Sequence, residues 1–379
     1  MNKVTIVFDY SVDGHHLEYL NHIYNDCINK ESEKFIFIVP EAFKLVSNKL
    51  VWPTSQNVKI VFIDSVNFQK FKENGIKRSF YLCQYLKTQI KKYDATDVFL
   101  ISLMEFMPFL SILINKKTKI SGIIYLIYLY RWKGSTMLSK ISDAFKYILF
   151  SRSGVFKNIF LLNDTVAPIY LNRKFKTSKF KYLPDPFMPL SNTGAVDLRN
   201  ELNISKEKIV CLHFGALTER KGTLGILQSI LEMNPEKAKR YSFIFAGKVS
   251  HDIKDVFYSL VDDTSKLTEI IIYDEYVDYD FLGSLCLISN YILIPYKNTE
   301  QSSGVISYAA QFKVPVVAPR LGLLGKIIKR NKLGILLDNS SSESIKEFLN
   351  NSEDYNFFMN TNYLENNQVS KFVNLIFKE

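Results

Sequence analysis

The residues whose types and spacing could do chemistry cluster in two interruptions of apolar sequence in the second half of the chain. The first follows the run Tyr291 to Ile294, where a polar loop carries Glu300, Gln301, Ser302, Ser303 and Gly304 to Val305, at the start of a helical pattern. A helix start presents backbone N–H groups and about half a positive charge, so it suits an anion, and Gly304 brings no side chain to keep a phosphate or sugar away. The second follows the run Ile209 to His213, which leads into Gly215 and then Arg220, Lys221 and Gly222 ahead of an apolar-periodic segment. Two cations at a helix start suit a diphosphate. Alone, such a pair reads as solvated charge. A third candidate lies near the N-terminus, where Gly14, His15 and His16 follow the run Val4 to Phe8 and could face an acceptor or move a proton. Histidines there also fit helix capping or plain surface.

Something must position these groups, and the patterning says what. Short apolar runs at Val4–Phe8, Phe35–Val39, Val58–Ile63, Val98–Ser102, Ile120–Tyr128 and Ile159–Leu162 alternate with longer amphipathic stretches. The alternation restarts with runs at Ile209–His213, Phe243–Ala246, Ile270–Tyr273, Tyr291–Ile294, Val314–Ala318 and Ile335–Leu337. This is the signature of an α/β protein with two doubly wound parallel sheets. Residues 183–197, rich in proline and without periodicity, read as the linker. The expected division is therefore 1–187, 188–350 and a C-terminal helical tail, 351–379, packing back on the body.

Composition narrows the partners. At 379 residues, 47% hydrophobic and 23% charged, the chain is long enough for two cores and is not of disordered type. Four dispersed cysteines (Cys27, Cys83, Cys211, Cys286) lack metal or disulfide spacing. Met1 to Tyr10 has no signal-peptide pattern, and Ile120 to Tyr130, the longest apolar run, is too short to span a bilayer. A cytoplasmic protein is the expectation. Residues 1–190 hold 27 Lys and Arg against 15 Asp and Glu, a net +12, whereas 191–379 hold 21 against 23. A basic half fits an anionic membrane surface or a phosphorylated substrate; no nucleic-acid module is present. Within it, Met104 to Lys119 and Met137 to Arg152 both pattern as basic amphipathic segments, to lie in a membrane interface or to pack on the sheet.

Taken together, Gly215 followed by Lys221 and Gly222, then Ile244 through Gly247 and Lys248, then Tyr276 to Asp278, then Pro295, Tyr296, Glu300, Ser303 and Gly304, then Pro315 to Val317, resemble in order and spacing the retaining GT-B glycosyltransferases of the large family numbered four, the group 1 glycosyl transferases. The resemblance covers residues 205–340; over 1–200 it rests on the sheet pattern, the Gly14 loop and the segment Pro184 to Pro186. It implies a GT-B fold, two Rossmann-like domains facing a cleft, and a nucleotide-sugar donor. Lys221 matches the lysine that holds the donor diphosphate, with Arg220 as second cation. Glu300 matches the glutamate that contacts the sugar hydroxyls. Gln301, Ser302, Ser303, Gly304 and Val305 match the donor loop, and Gly215 and Gly222 the phosphate loop. Two positions depart from the pattern. Ala216 stands where the family has arginine, and Tyr308 where it has the ribose-binding glutamate.

The implied function is retaining transfer of a sugar, without metal or cofactor, to a lipid-linked or polysaccharide acceptor in bacterial surface glycan assembly, in the cytoplasm and peripherally on the inner face of the membrane. Asp278 and Asp280 have metal-motif spacing, but their place before a helical segment makes capping the expected role. A nucleotide-sugar binding protein without transfer activity and a nucleotide-sugar epimerase are the alternatives.

Overall fold

A computed structural model of the chain describes residues 3–11, 16–44, 52–132, 134–190, 198–352, 357 and 362–378. The described residues form two units, Met1–Pro186 with Val369–Glu379, and Phe187–Gln368. Of the site candidates, Gly14 and His15 lie outside the described residues, as do residues 191–197 of the linker.

The first unit is built on seven parallel strands, β1 (Val4–Phe8), β2 (Lys34–Pro40), β3 (Val58–Ile63), β4 (Asp97–Leu100), β5 (Lys119–Ile124), β6 (Phe156–Leu162) and β7 (Phe180–Leu183), in the order 3-2-1-4-5-6-7. The second has six, β8 (Ile209–Phe214), β9 (Tyr241–Ala246), β10 (Glu269–Tyr273), β11 (Tyr291–Leu293), β12 (Val316–Pro319) and β13 (Gly334–Leu337), in the order 10-9-8-11-12-13. Parallel strands covered on both faces need unbroken apolar sequence, and β12, apolar and buried at every residue, shows it. In each sheet the order reverses beside the first strand, between β1 and β4 and between β8 and β11. Ligands of such sheets bind outside the carboxyl ends of the strands at that reversal.

Three expectations change. The strand expected over Ile120–Tyr128 ends at Ile124, and Tyr128–Arg131 is a helical turn. Strand β7 was not expected, because it is a four-residue strand at the sheet edge with Lys181 exposed, and it lacks a long apolar run. Met104 to Lys119 does not form one amphipathic helix. It divides into a 3-10 turn, Leu103–Phe106, and a short helix, Leu110–Leu113, and buries Phe106, Met107, Leu110 and Ile114.

The tail also divides. The Asn362–Asn366 helix belongs to the second unit, with Tyr363 buried, while Val369–Phe377 belongs to the first. There Phe372 meets Tyr19 at 5.3 Å and Phe377 meets Phe35 at 5.6 Å between ring centroids.

Candidate functional site

In the second unit the loops after β8 and β11 flank the reversal of strand order, and the sequence ties them together by close backbone approach. Gly222 has φ +77°, and a Cβ there would lie 2.2 Å from the Pro295 carbonyl oxygen, so only glycine lets the Arg220–Gly222 turn settle on the β11 loop. The Lys297 N–H donates to the Arg220 carbonyl at 2.9 Å, and the Lys297 ammonium pairs with Glu219. Thr218 caps the turn, its hydroxyl accepting from the Lys221 N–H at 3.3 Å.

This turn holds Lys221 half-buried. Its ammonium lies over the Gly215 backbone, where a Cβ would be 2.6 Å away, and 5.7 Å from the centre of the Tyr296 ring. The Ser303 hydroxyl donates to the Tyr296 hydroxyl at 3.4 Å, so Tyr296 joins the Lys221 loop to the Ser303–Gly304 turn. Among the described residues no carboxylate pairs with Lys221 or Arg220, because the nearby Glu219 is taken by Lys297. The loop thus offers an ammonium that an anion could neutralise.

The β11 loop carries the rest of the expected donor residues. Glu300 is half-buried, and its N–H donates to Asn298 Oδ1 at 3.0 Å. Gln301 is exposed, Ser302 and Ser303 are half-buried, and Gly304 and Val305 are buried at the start of the Val305–Gln311 helix. The first turn of the Gly322–Asn331 helix supports this loop, the Leu324 N–H donating to the Thr299 carbonyl at 3.0 Å. Arg220 and Ala216 are exposed. Tyr308 is buried, its ring 6.3 Å from Phe214 and 6.2 Å from Tyr279. Asp278 caps the Tyr279–Ile288 helix, its carboxylate accepting from the Phe281 N–H at 2.8 Å.

Beneath the loops is a histidine that sequence reasoning missed. His213, in β8, is buried, with Nδ1 2.7 Å from the Leu293 carbonyl oxygen and Nε2 3.0 Å from the Thr223 hydroxyl. The carbonyl can only accept, so Nδ1 carries the proton and Nε2 accepts from Thr223. Burial, helped by the Lys221 charge, pushes its pKa down to about 4. A neutral imidazole therefore pins β8, β11 and the first turn of the Thr223–Leu231 helix beneath the cationic loop.

In the first unit the reversal point has different chemistry. Asp9, one residue past β1, is buried and accepts from His16 Nδ1 at 2.7 Å; burial raises its pKa against that hydrogen bond. His16 opens the His16–Cys27 helix, and its ring stacks on Tyr125 at 5.6 Å. Tyr125, just past β5, stacks on Tyr19 at 6.3 Å, and the Tyr19 hydroxyl donates to buried Asp185 at 2.5 Å. The Tyr125 hydroxyl is buried without a hydrogen-bond partner, which costs free energy unless another group supplies one. The ends of β1, β5 and β7 thus converge on Asp9, Tyr125 and Asp185 around His16 and Tyr19. Of these, only His16 was a candidate from sequence. The available signals were an aspartate directly after the first strand and another between two prolines.

The two sheets and their reversal points are those of the GT-B fold. No protein-family model matches the chain, and no curated protein matches it in sequence. Solved structures match it end to end. WaaG, a glycosyltransferase involved in lipopolysaccharide biosynthesis, is 13% identical, with 99% of this chain and 100% of that one covered at a TM-score of 0.67. Anabaena Alr3699/HepE in complex with UDP is 13% identical, with 99% and 98% covered at a TM-score of 0.70. The UDP-forming α,α-trehalose-phosphate synthase from Burkholderia vietnamiensis is 10% identical, with 99% and 98% covered at 0.69.

Proposed function

We propose that the protein is a retaining glycosyltransferase that takes its sugar from a nucleotide-sugar donor bound by the Phe187–Gln368 unit. The observation that carries this reading is the Lys221 ammonium, half-buried over Gly215 and Tyr296 with no carboxylate partner among the described residues. Such a charge on a glycine-bounded loop at the strand-order reversal suits a diphosphate. A fold neighbour, Alr3699/HepE, has been crystallised with UDP-glucose, which supports the donor class.

In the reaction the anomeric carbon–oxygen bond to the diphosphate breaks and a bond to an acceptor hydroxyl oxygen forms. The hydroxyl proton leaves to the departing phosphate oxygen, so no protein nucleophile is needed. Lys221 and Arg220 stabilise the charge that develops on the diphosphate, together with the helix start at Ser303 and Gly304, and this positive potential takes the place of a metal. Glu300 holds the sugar hydroxyls, with Gln301, Ser302 and Val305 lining the same loop. The acceptor hydroxyl is received by the first unit at His16, which Asp9 orients. The acceptor is a lipid-linked or polysaccharide intermediate of bacterial surface glycan assembly, met at the inner face of the membrane.

A second reading, a nucleotide-sugar binding protein without transfer, is favoured by exposed Ala216, where the resemblance expects an arginine, and by buried Tyr308, where it expects a glutamate.

Titration calorimetry with UDP-, GDP- and dTDP-sugars, with turnover followed in the presence of EDTA, separates the two. Transfer or slow donor hydrolysis supports the enzyme, and binding alone supports the second reading. Lys221→Ala should weaken donor binding by about 1.5–3 kcal/mol, the loss expected for a charge-assisted contact. Unchanged donor affinity would remove Lys221 from the site.

A further inference from the structure

The Met137–Arg152 helix shows its more apolar side to solvent. Thr136 caps it, accepting from the Ser139 N–H at 3.3 Å. Its inner side is held by Tyr147, which stacks on Phe180 of β7 at 5.7 Å and meets Phe150 edge-on at 5.7 Å. On the other side Met137, Leu138, Ile141, Phe145 and Ile148 are 74%, 81%, 60%, 51% and 41% exposed. At 3.6 residues per turn these five fall within an arc of about 100°. Lys140 and Lys146 flank the arc, one on each side, and exposed Arg152 closes its C-terminal end. Trp132, 40% exposed, precedes the helix, with the Lys140 ammonium 5.6 Å from its ring centre.

A soluble helix pairs its apolar stripe with the core, so this arrangement needs another explanation. Charge supplies it. From Tyr128 to Lys181 the chain has eleven lysines and arginines and two acids, Asp143 and Asp164, and both acids are buried. A helix face of apolar side chains and cations, in a segment whose two acids are both buried, repels a second copy of itself and attracts an anionic apolar phase. No described helix is long and apolar enough to cross a bilayer, and this one has 16 residues. It can lie in the interface but not span it.

We propose that the Met137–Arg152 helix docks the first unit on an anionic lipid bilayer. The helix lies in the plane of the interface, with its five exposed apolar side chains among the acyl chains and Lys140 and Lys146 at the headgroup phosphates. This rests on the membrane-side part of the proposed function and is independent of the transfer reaction.

The test is flotation of the full chain with vesicles of phosphatidylcholine, with and without phosphatidylglycerol. The chain should float only with the anionic vesicles. Ile141→Ser with Phe145→Ser should lower the partition at least about tenfold, since each removes an apolar side chain from the acyl region. Lys140→Gln with Lys146→Gln should lower it less and flatten its salt dependence. Nucleoside diphosphate affinity and far-ultraviolet circular dichroism should stay as in the parent for both pairs. Quenching of Trp132 emission by brominated acyl chains gives the same answer without a substitution, and Trp52, stacked on Tyr24 at 3.8 Å, serves as the unquenched reference. The proposal fails if the parent stays in solution with anionic vesicles, or if the apolar pair floats as the parent does. It also fails if the parent is a dimer that the apolar pair dissociates, because the stripe would then cover a second copy. A chain that floats but binds no nucleotide keeps the surface and sinks the transferase; one that binds nucleotide but does not float does the reverse.

Discussion

The two sheets reverse their strand order at equivalent places and put opposite chemistry there. After β8 and β11 the second unit presents Lys221 and Arg220 on loops fixed mainly by backbone approach, Gly222 on Pro295 and the Lys297 N–H on the Arg220 carbonyl. After β1, β5 and β7 the first unit presents buried Asp9 and Asp185 on a framework of side chains, through His16, Tyr125 and Tyr19. One scaffold therefore presents cations at one reversal point and buried carboxylates at the other, which under the proposed function serve a leaving diphosphate and an acceptor hydroxyl. The difference extends to how each site breaks, that of the second unit through its main chain and that of the first unit through its side chains.

The largest effect expected from this contrast is at Gly222. Gly222→Ala puts a Cβ 2.2 Å from the Pro295 oxygen at a φ of +77°, so the loop must move or the unit must strain. A stability loss of about 3 kcal/mol in urea unfolding is expected, along with loss of donor affinity. A variant with parental stability and affinity would show that backbone contact does not hold the Lys221 loop.

Acid should separate the units almost as strongly. The folded pKa of His213, about 4, lies below its ordinary value of 6.5. The unfolded chain therefore takes up a proton before the folded one does. The stabilisation is fully present above pH 6.5 and is lost as pH falls toward 4, by about 3 kcal/mol in all. Asp9 has the opposite sign. Burial raises its folded pKa, so its contribution is present below the ordinary carboxylate value and lost as pH rises through the folded one. Both tryptophans, Trp52 and Trp132, lie in the first unit, so their emission follows it alone. Urea transitions seen by circular dichroism and by tryptophan should coincide more closely near neutral pH and separate below pH 6, the second unit melting first. Transitions that move together, or a His213→Gln variant that keeps the parental acid response, would break the assignment.

Legibility followed locality. The strands of the second unit could be read because parallel strands covered on both faces must be continuous apolar runs, and the Lys221 and Ser303 loops because their glycines and polar residues interrupt those runs. Met104 to Lys119 misled because helical periodicity says nothing of the 3-10 turn that buries Phe106 and Met107. His213 sits inside a strand, and its role shows only once burial and its two partners are known. The corner of Asp9, Tyr125 and Asp185 could not be read, because it joins the ends of three separate strands, with Asp9 more than a hundred positions from either of the others. The Met137–Arg152 pattern was visible, but whether its apolar face turned inward or outward depended on Tyr147 and its ring partners.

The smallest effect should distinguish the two sites most cleanly. Asp9→Asn keeps an oxygen that can accept from His16 Nδ1 and removes only the charge behind it. Because burial disfavours the Asp9 carboxylate, removing its charge relieves a desolvation cost that offsets the weaker hydrogen bond, and the unit should keep its stability at pH 7. What weakens is the hold on the imidazole orientation, by the difference between a charged and a neutral hydrogen bond, about 1 kcal/mol. Transfer should therefore slow about fivefold to tenfold, the value of 1 kcal/mol or slightly more. Donor affinity should be unchanged, because Asp9 belongs to the other unit. A variant that loses donor affinity and keeps transfer would reverse the division of labour between the sheets. One that changes neither would leave His16 a capping residue and the cationic loop the only site the fold has built.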